Sequence, residues 1–334
     1  MVAPCGPLFF GNEVGVLTLV LREDDVRGLL PMDRALELTR EVLRWQGEGS
    51  AVNQPRRRIR YPGGLFHFMA GAVPDTRSVG LKCYATSAHG ATFAVLLFDT
   101  ESTELLAIIG ADWLGRIRTG AASAVATDVL ARPDSSVLGV VGAGGQAETQ
   151  IEAQALVRDF KLIKIFSRTE NRREDLARRL AQKLEGRIEP VTSAREAVEG
   201  SDVVTTITTS REPVFDGVWL APGTHINAAG SNRRTNREID DQTVAAAGVI
   251  AVDSIQQAEA ESGDLIHAVE TGVLQWDRVS ELGAIIAGNA PGRENRDEIT
   301  LFESQGIAIE DVMVARAIYD AAVQAGRGRR MELS

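Results

Sequence analysis

Six consecutive residues, Gly142-Ala143-Gly144-Gly145-Gln146-Ala147, are small enough in type and spacing to bring main-chain N–H groups against a bulky anion. The pattern is G-x-G-x-x-A, and its context is the one such a turn needs. An apolar run, SVLGVV, precedes it, and a helix-favouring run, ETQIEAQALV, follows it. A second apolar run ends about 25 residues further on. The chemistry this predicts is capture of a dinucleotide pyrophosphate at a helix N-terminus, hence hydride transfer through a nicotinamide. The second apolar run ends Phe166-Ser167-Arg168-Thr169. NAD-specific sites place Asp or Glu there to accept from the ribose 2′-OH. Here a guanidinium stands between two hydroxyls, which suits a 2′-phosphate. NADP(H) is therefore expected in preference to NAD(H), although a solvated surface arginine would read the same way.

Other chemistries find no footing. His67, His89, His225 and His267 are scattered, with no HxxxH or CxxC spacing, so no metal site is expected. No GxSxG elbow is present for a serine hydrolase. Cys5 and Cys83 lie far apart and read as free thiols of a reducing cytoplasm. The segment MVAPCGPLFF lacks a basic start and a long apolar run, so neither signal peptide nor anchor is read there. No run reaches the roughly 18 apolar residues of a membrane span. The 334 residues carry 46 acidic against 36 basic side chains, a net charge of −10. Such a surface argues against nucleic acid or anionic membrane as partners. An anionic ligand must then be met by locally placed arginine and lysine.

Stepping along the chain, GVLTLVL (15–21) reads as a strand, and residues 23–45 as helix broken at Pro31–Met32. NQPRRRIRYPGG reads as a basic loop. LFHFMAGAV, VGLKCYATS, TFAVLLFD and LLAIIG then predict an antiparallel sheet of about four to six strands. From residue 112 the pattern changes. An Ala-rich helix, DWLGRIRTGAASAVATDVLA, leads into the cofactor turn; a charged helix covers 171–185. The apolar runs VVTTIT, THINAAG and GVIAVDS follow, and IAIEDVMVARAIYDAAVQA (307–325) predicts a last helix. The fold class expected is α/β: a Rossmann-type doubly wound parallel sheet plus a second α+β domain.

Seven segments carry a resemblance to the ornithine cyclodeaminase/μ-crystallin family. They are QPRRR (54–58), GLKCY (80–84), RTGAASAVAT (118–127), VVGAGGQA, SRT, INAAGSNRRTNREID (226–240) and FESQGIAIED (302–311). The resemblance implies a Rossmann domain over 120–305. It implies a second domain, 1–119 with 306–334, that carries substrate groups and forms a homodimer. A small amino or imino acid is the implied substrate. Thr119, Thr206, Asn232 and Ser304 join the cofactor set by the same resemblance, and Arg57 (or one of its neighbours Arg56 and Arg58), Lys82 and Arg118 become the residues that hold the substrate carboxylate. Paired arginines fix a carboxylate well, so that Cα faces the nicotinamide. A lysine between them should have its pKa pushed down by like charge, which favours proton donation near neutral pH.

Two positions depart from the cyclodeaminases, which the resemblance implies carry acids there. Asn232 stands in the first, and an amide cannot act as a base; it could still orient a water or the carboxamide of the cofactor. His67 stands where an acid would pair with the side-chain amine of ornithine. Hydride transfer survives both changes. The expected function is thus an imine (ketimine) reductase or amino-acid dehydrogenase acting on an imine carboxylate. The alternatives are ornithine cyclodeaminase itself, releasing ammonia, and a non-catalytic NADPH- or small-ligand-binding protein.

Overall fold

From Gly64 to Gly110, buried and part-exposed side chains alternate along each strand, the mark of a sheet covered by packing on one face. The computed structural model describes residues 17–333, so the expectations for MVAPCGPLFF and Cys5 lie outside the described residues. Its first sheet contains β1 (Leu17–Leu21), β2 (Val52–Tyr61), β3 (Gly64–Val73), β4 (Ser78–Ser87), β5 (Gly90–Asp99), β6 (Leu105–Gly110) and the terminal β15 (Arg329–Glu332). The order is β15-β1-β6-β5-β4-β3-β2, seven strands rather than four to six. All pairs are antiparallel except β1 with β6. The stretch expected to be a basic loop is strand β2. Pro55 lacks an N–H, but an edge strand with a bulge can hold it, and the ladder shifts register between Gln54 and Arg57. β15 is exposed along its length, with no apolar alternation to announce it.

The second sheet is built from β7 (Val137–Val141), β8 (Leu162–Phe166), β9 (Arg187–Pro190), β10 (Val203–Thr206), β11 (His225–Ala228), β12 (Ala247–Val252), β13 (Val279–Glu281) and β14 (Ile299–Glu303). Its order is β13-β12-β14-β11-β10-β7-β8-β9, all parallel. The direction of strand order reverses between β7 and β10. In such sheets ligands bind outside the carboxyl ends of the strands at that point.

Helices α1 (Glu23–Val26) and α2 (Met32–Gly47) lie between β1 and β2 in the chain, on either side of the expected break at Pro31. Helix α3 (Asp112–Leu130) is buried nearly all round, which its run of alanines permits. It packs on α2, on α4 (Ala147–Gln154) and on the last helix, Ala308–Ala325, and so joins the two sheets through one apolar core. The last helix lies across β3 and β4 because glycines face it there. Gly71 and Gly80 are cross-strand partners. A methyl group at Gly71 would sit 2.9 Å from the Ile309 main-chain nitrogen, and one at Gly80 2.9 Å from Val312 Cγ2. This close approach delivers Glu310 and Asp311, in the helix's first turn, to the sheet face that carries Lys82.

Candidate active site

A cavity of about 560 Å³ opens between the two sheets. Its floor is the face of β3 and β4 that bears His67, Met69, Lys82 and Tyr84, neighbours by cross-strand pairing. Its far wall includes Gly145 and Gln146 of the glycine turn and the segment Gly230–Arg233. Lys82, Arg118, His67 and Asn232, expected in the site on different grounds, all line this one space.

Arg57 does not. It is exposed, on the other side of the strand, and Arg56 lines the cavity instead. The bulge between Gln54 and Arg57 inserts one extra residue, so Arg58 rather than Arg57 pairs with His67 and shares its face. In a regular strand the parity would be the reverse. Arg56 is buried. Its Nη1 donates to Glu261 Oε1 at 2.7 Å, and its Nη2 donates to the carbonyls of Gln305 and Gly306. Its Nε has no partner in the structure, a buried donor left over.

Lys82 and Arg118 meet on one carboxylate. Asp311 Oδ1 accepts from Lys82 Nζ at 2.7 Å and from Arg118 Nε at 3.0 Å. Arg118 Nη1 donates to Glu310 Oε2 at 3.0 Å, leaving Nη2 committed to neither acid. Burial opposes the charge of Arg118, but Asp311, Glu310 and Asp253 outweigh it and hold its pKa above the ordinary value. For Lys82, burial pushes the pKa down to about 8; Asp311 pulls it up and Arg118 pushes it down again. The expected direction is met, but the main cause is desolvation rather than the like charge of two arginines. Burial also lifts the Glu310 carboxyl to about 8.

His67 is a neutral ring. Burial first, then the charges of Arg58, Arg56 and Arg233, lower its pKa to about 4. Its Nδ1 accepts from Arg58 Nε at 3.2 Å, its Nε2 faces Thr86 Oγ1 at 3.3 Å, and the ring stacks on Tyr84. Arg58 also donates to the Asn232 main-chain oxygen at 2.7 Å and pairs with Glu261, which ties β2 to the Gly230–Arg233 segment.

The glycine turn fits a dinucleotide. Gly142 adopts φ +126, and a Cβ there would lie 2.4 Å from the Ile207 carbonyl, so only glycine makes the turn. At Gly144 a Cβ would meet nothing within 4 Å: the main chain faces open space where a pyrophosphate can approach. Ala143 sits between these two; Ala147 is buried at the start of α4. The Gly142 N–H donates to the Phe166 carbonyl at 2.8 Å, which sets Ser167, Arg168 and Thr169 beside the turn. Arg168 is exposed and makes no side-chain hydrogen bond among the described residues, while the nearest acid, Glu170, is held by Arg173 at 3.1 Å.

Three members of the expected cofactor set give their hydroxyl protons to acceptors within the protein. Thr119 Oγ1 donates back to Gly115 O, Thr206 Oγ1 to Glu238 and Ser304 Oγ to Asp253. All three side chains are buried, and a buried hydroxyl takes the nearest acceptor in its own core. Sequence reading held Arg56 only as a neighbour of Arg57, and it missed Glu261, Glu310 and Asp311. Asp311 closes the FESQGIAIED run, so its neighbourhood was marked, but nothing local announces a partner 229 residues away.

Among the described residues no helix is long and apolar enough to cross a membrane, and no group of three or more His, Cys, Asp or Glu could hold a metal ion.

A family model for the ornithine cyclodeaminase/mu-crystallin family matches residues 16–326. The Delta(1)-pyrroline-2-carboxylate reductase of Bacillus cereus is 36% identical over 261 residues, 78% of each chain. The ketimine reductase mu-crystallin of Mus musculus is 38% identical over 237 residues, 71% of each. The structure of Thermococcus litoralis Delta(1)-pyrroline-2-carboxylate reductase in complex with NADH and L-proline matches with a TM-score of 0.90 at 34% identity. That match covers 94% of this chain and 100% of that one.

Proposed function

The chain belongs to the ornithine cyclodeaminase/mu-crystallin family, and we propose that within it this protein is an imine reductase. It reduces the C=N bond of an imino acid, cyclic or open-chain, to an amino acid, and runs the reverse dehydrogenation. The observation that carries this reading is the meeting of Lys82, Arg118 and Arg56 in a cavity that also reaches the glycine turn. A bound nicotinamide supplies the hydride that reaches the substrate Cα.

The chain's own residues do the rest. The free Nη2 of Arg118 takes the α-carboxylate, and Arg56, on the cavity lining, sets a second positive charge beside it. Lys82, oriented by Asp311, gives a proton to the imine nitrogen as Cα is reduced, so the C=N bond gains a hydride and a proton in balance. Asn232 borders the reacting space as a neutral group. Among the described residues the cavity's one lining acid, Asp112, is held by Arg116 at 2.7 Å, so a diamino acid's side-chain ammonium meets no free carboxylate from them. That disfavours cyclodeamination of ornithine.

NADP(H) is the preferred cofactor in this proposal, although the Thermococcus relative is described with NADH. The support is Arg168, exposed and unpaired beside the turn, with no acid free to accept from a 2′-OH. The test is a spectrophotometric screen at ~340 nm, the absorbance band of the reduced nicotinamide, with cyclic imines and with 2-oxo acids plus ammonium. Turnover with NADPH should exceed that with NADH in kcat/KM by at least about tenfold. Equal efficiencies would defeat the cofactor assignment. Ammonia release from ornithine without net cofactor oxidation would replace reductase by cyclodeaminase.

We also propose a homodimer through the first sheet. The last helix packs on one face; Phe66, Phe68, Leu81, Leu96 and Phe98 point from the other and remain part-exposed. Light scattering on a size-exclusion column should return twice the 35.9 kDa chain mass. A Phe68→Glu, Leu96→Glu double variant should elute as a monomer; a native monomer would refute the assignment.

A further inference from the structure

The cavity is polarised along β4. Lys82, Tyr84 and Thr86 face into it in turn, each roughly 7 Å from the last. Lys82 marks the carboxylate end. At the Thr86 end stands Arg233, whose charge also bears on His67; Arg211, in the loop after β10, lines the same cavity. Nearby arginines have acids of their own: Arg58 has Glu261, Arg116 has Asp112 and Arg234 has Glu270. Arg211 and Arg233 have no carboxylate partner among the described residues, and both are exposed into the cavity. In a chain of net charge −10, two cations unpaired among the described residues in one cavity are a local choice against the general field. The remaining groups at this end, neutral His67, Thr86 and the Asn232 side chain, add no negative charge.

We infer that the substrate side chain ends in a carboxylate: the protein reduces a 2-imino dicarboxylate to an acidic amino acid, with the distal carboxylate held by Arg233 and assisted by Arg211. The inference rests on the imine-reductase reading and deepens it. The imine is the condensation product of a 2-oxo dicarboxylic acid with ammonia, water being lost. Its reduction takes one hydride at Cα from the nicotinamide and one proton at nitrogen, and leaves both carboxylates untouched. The class of reaction that must supply the substrate is therefore one yielding a 2-oxo dicarboxylate or its imine.

The experiment compares oxaloacetate and 2-oxoglutarate with pyruvate and 2-oxobutyrate, each with ammonium and saturating NADPH, and includes Δ1-pyrroline-2-carboxylate as a preformed imine. The full-length protein is used. The better dicarboxylate should exceed the better monocarboxylate in kcat/KM at least about tenfold, the weight of one charge-assisted hydrogen bond. Arg233→Met, a change on an exposed side chain, should shrink that ratio at least about tenfold, chiefly through the KM of the dicarboxylate, and Arg233→Lys should restore part of it. Equal or better use of monocarboxylates, or an equal loss on every substrate in Arg233→Met, overturns the dicarboxylate assignment alone. Absence of turnover on every imine overturns it together with the reductase reading.

Discussion

Replacing Lys82 by methionine is expected to cut turnover of an imino acid at least about a hundredfold while leaving NADPH affinity unchanged. Methionine keeps the length and apolar stem of the side chain but removes its proton. Asp311 still accepts from Arg118 Nε at 3.0 Å, so the carboxylate is not stranded and the last helix keeps its anchor. The glycine turn lies on the opposite wall and has no contact with Lys82. The pH profile gives a second readout. Burial, Asp311 and Arg118 together leave the Lys82 pKa at about 8, below its ordinary value. Reduction needs the ammonium form. Its rate should be level below pH 8 and fall about tenfold per pH unit above. The reverse dehydrogenation needs the neutral amine, so its rate should rise with pH and level off above 8. Both limbs should vanish in the methionine variant, measured by steady-state kinetics from pH 6 to 10 with cofactor titration by fluorescence. A variant as active as the parent would remove Lys82 from the mechanism.

The second large effect separates two adjacent arginines. Arg56→Leu should raise the KM for the imino acid at least about tenfold, since a buried positive charge beside the carboxylate is lost. It should also destabilise the fold by about 3–5 kcal/mol, because Glu261 is buried and loses a 2.7 Å partner, with only Arg58 left to it. Arg56→Lys keeps the charge, so the KM should stay within about threefold of the parent, but it lacks the fork that holds Glu261 together with the Gln305 and Gly306 carbonyls, so part of the drop in melting temperature should persist. Arg57→Leu, on the exposed side, should change both quantities by less than about twofold. A rise in KM for Arg57→Leu, or a normal KM in Arg56→Leu, would return the clamp to the neighbouring residue.

The contrast between these two arginines marks where sequence reading stops. Hydrophobic period and turn chemistry are local properties, so β3 to β6, β7, the glycine turn, α4 and β8 could be read from the residues that form them. β2 could not, because Pro55 and three arginines look like a loop until a partner strand supplies the ladder and the bulge. β13, β14 and β15 escaped for a related reason: two are short or exposed, and β14 is recognisable chiefly by its parallel neighbours β11 and β12.

The residues themselves determined the dinucleotide turn and the lack of an acid at the end of β8, since both depend on side-chain size and charge within a few positions. Together with the segments that carried the family resemblance, they brought Lys82, Arg118, His67 and Asn232 into one set of candidates. Tertiary structure alone decided which arginine of Arg56-Arg57-Arg58 faces the substrate, because one inserted residue in a strand reverses every side chain after it. It alone set Asp311 between Lys82 and Arg118, through a helix that two facing glycines let onto the sheet. And it alone made burial, rather than neighbouring charge, the chief reason that Lys82 titrates near 8.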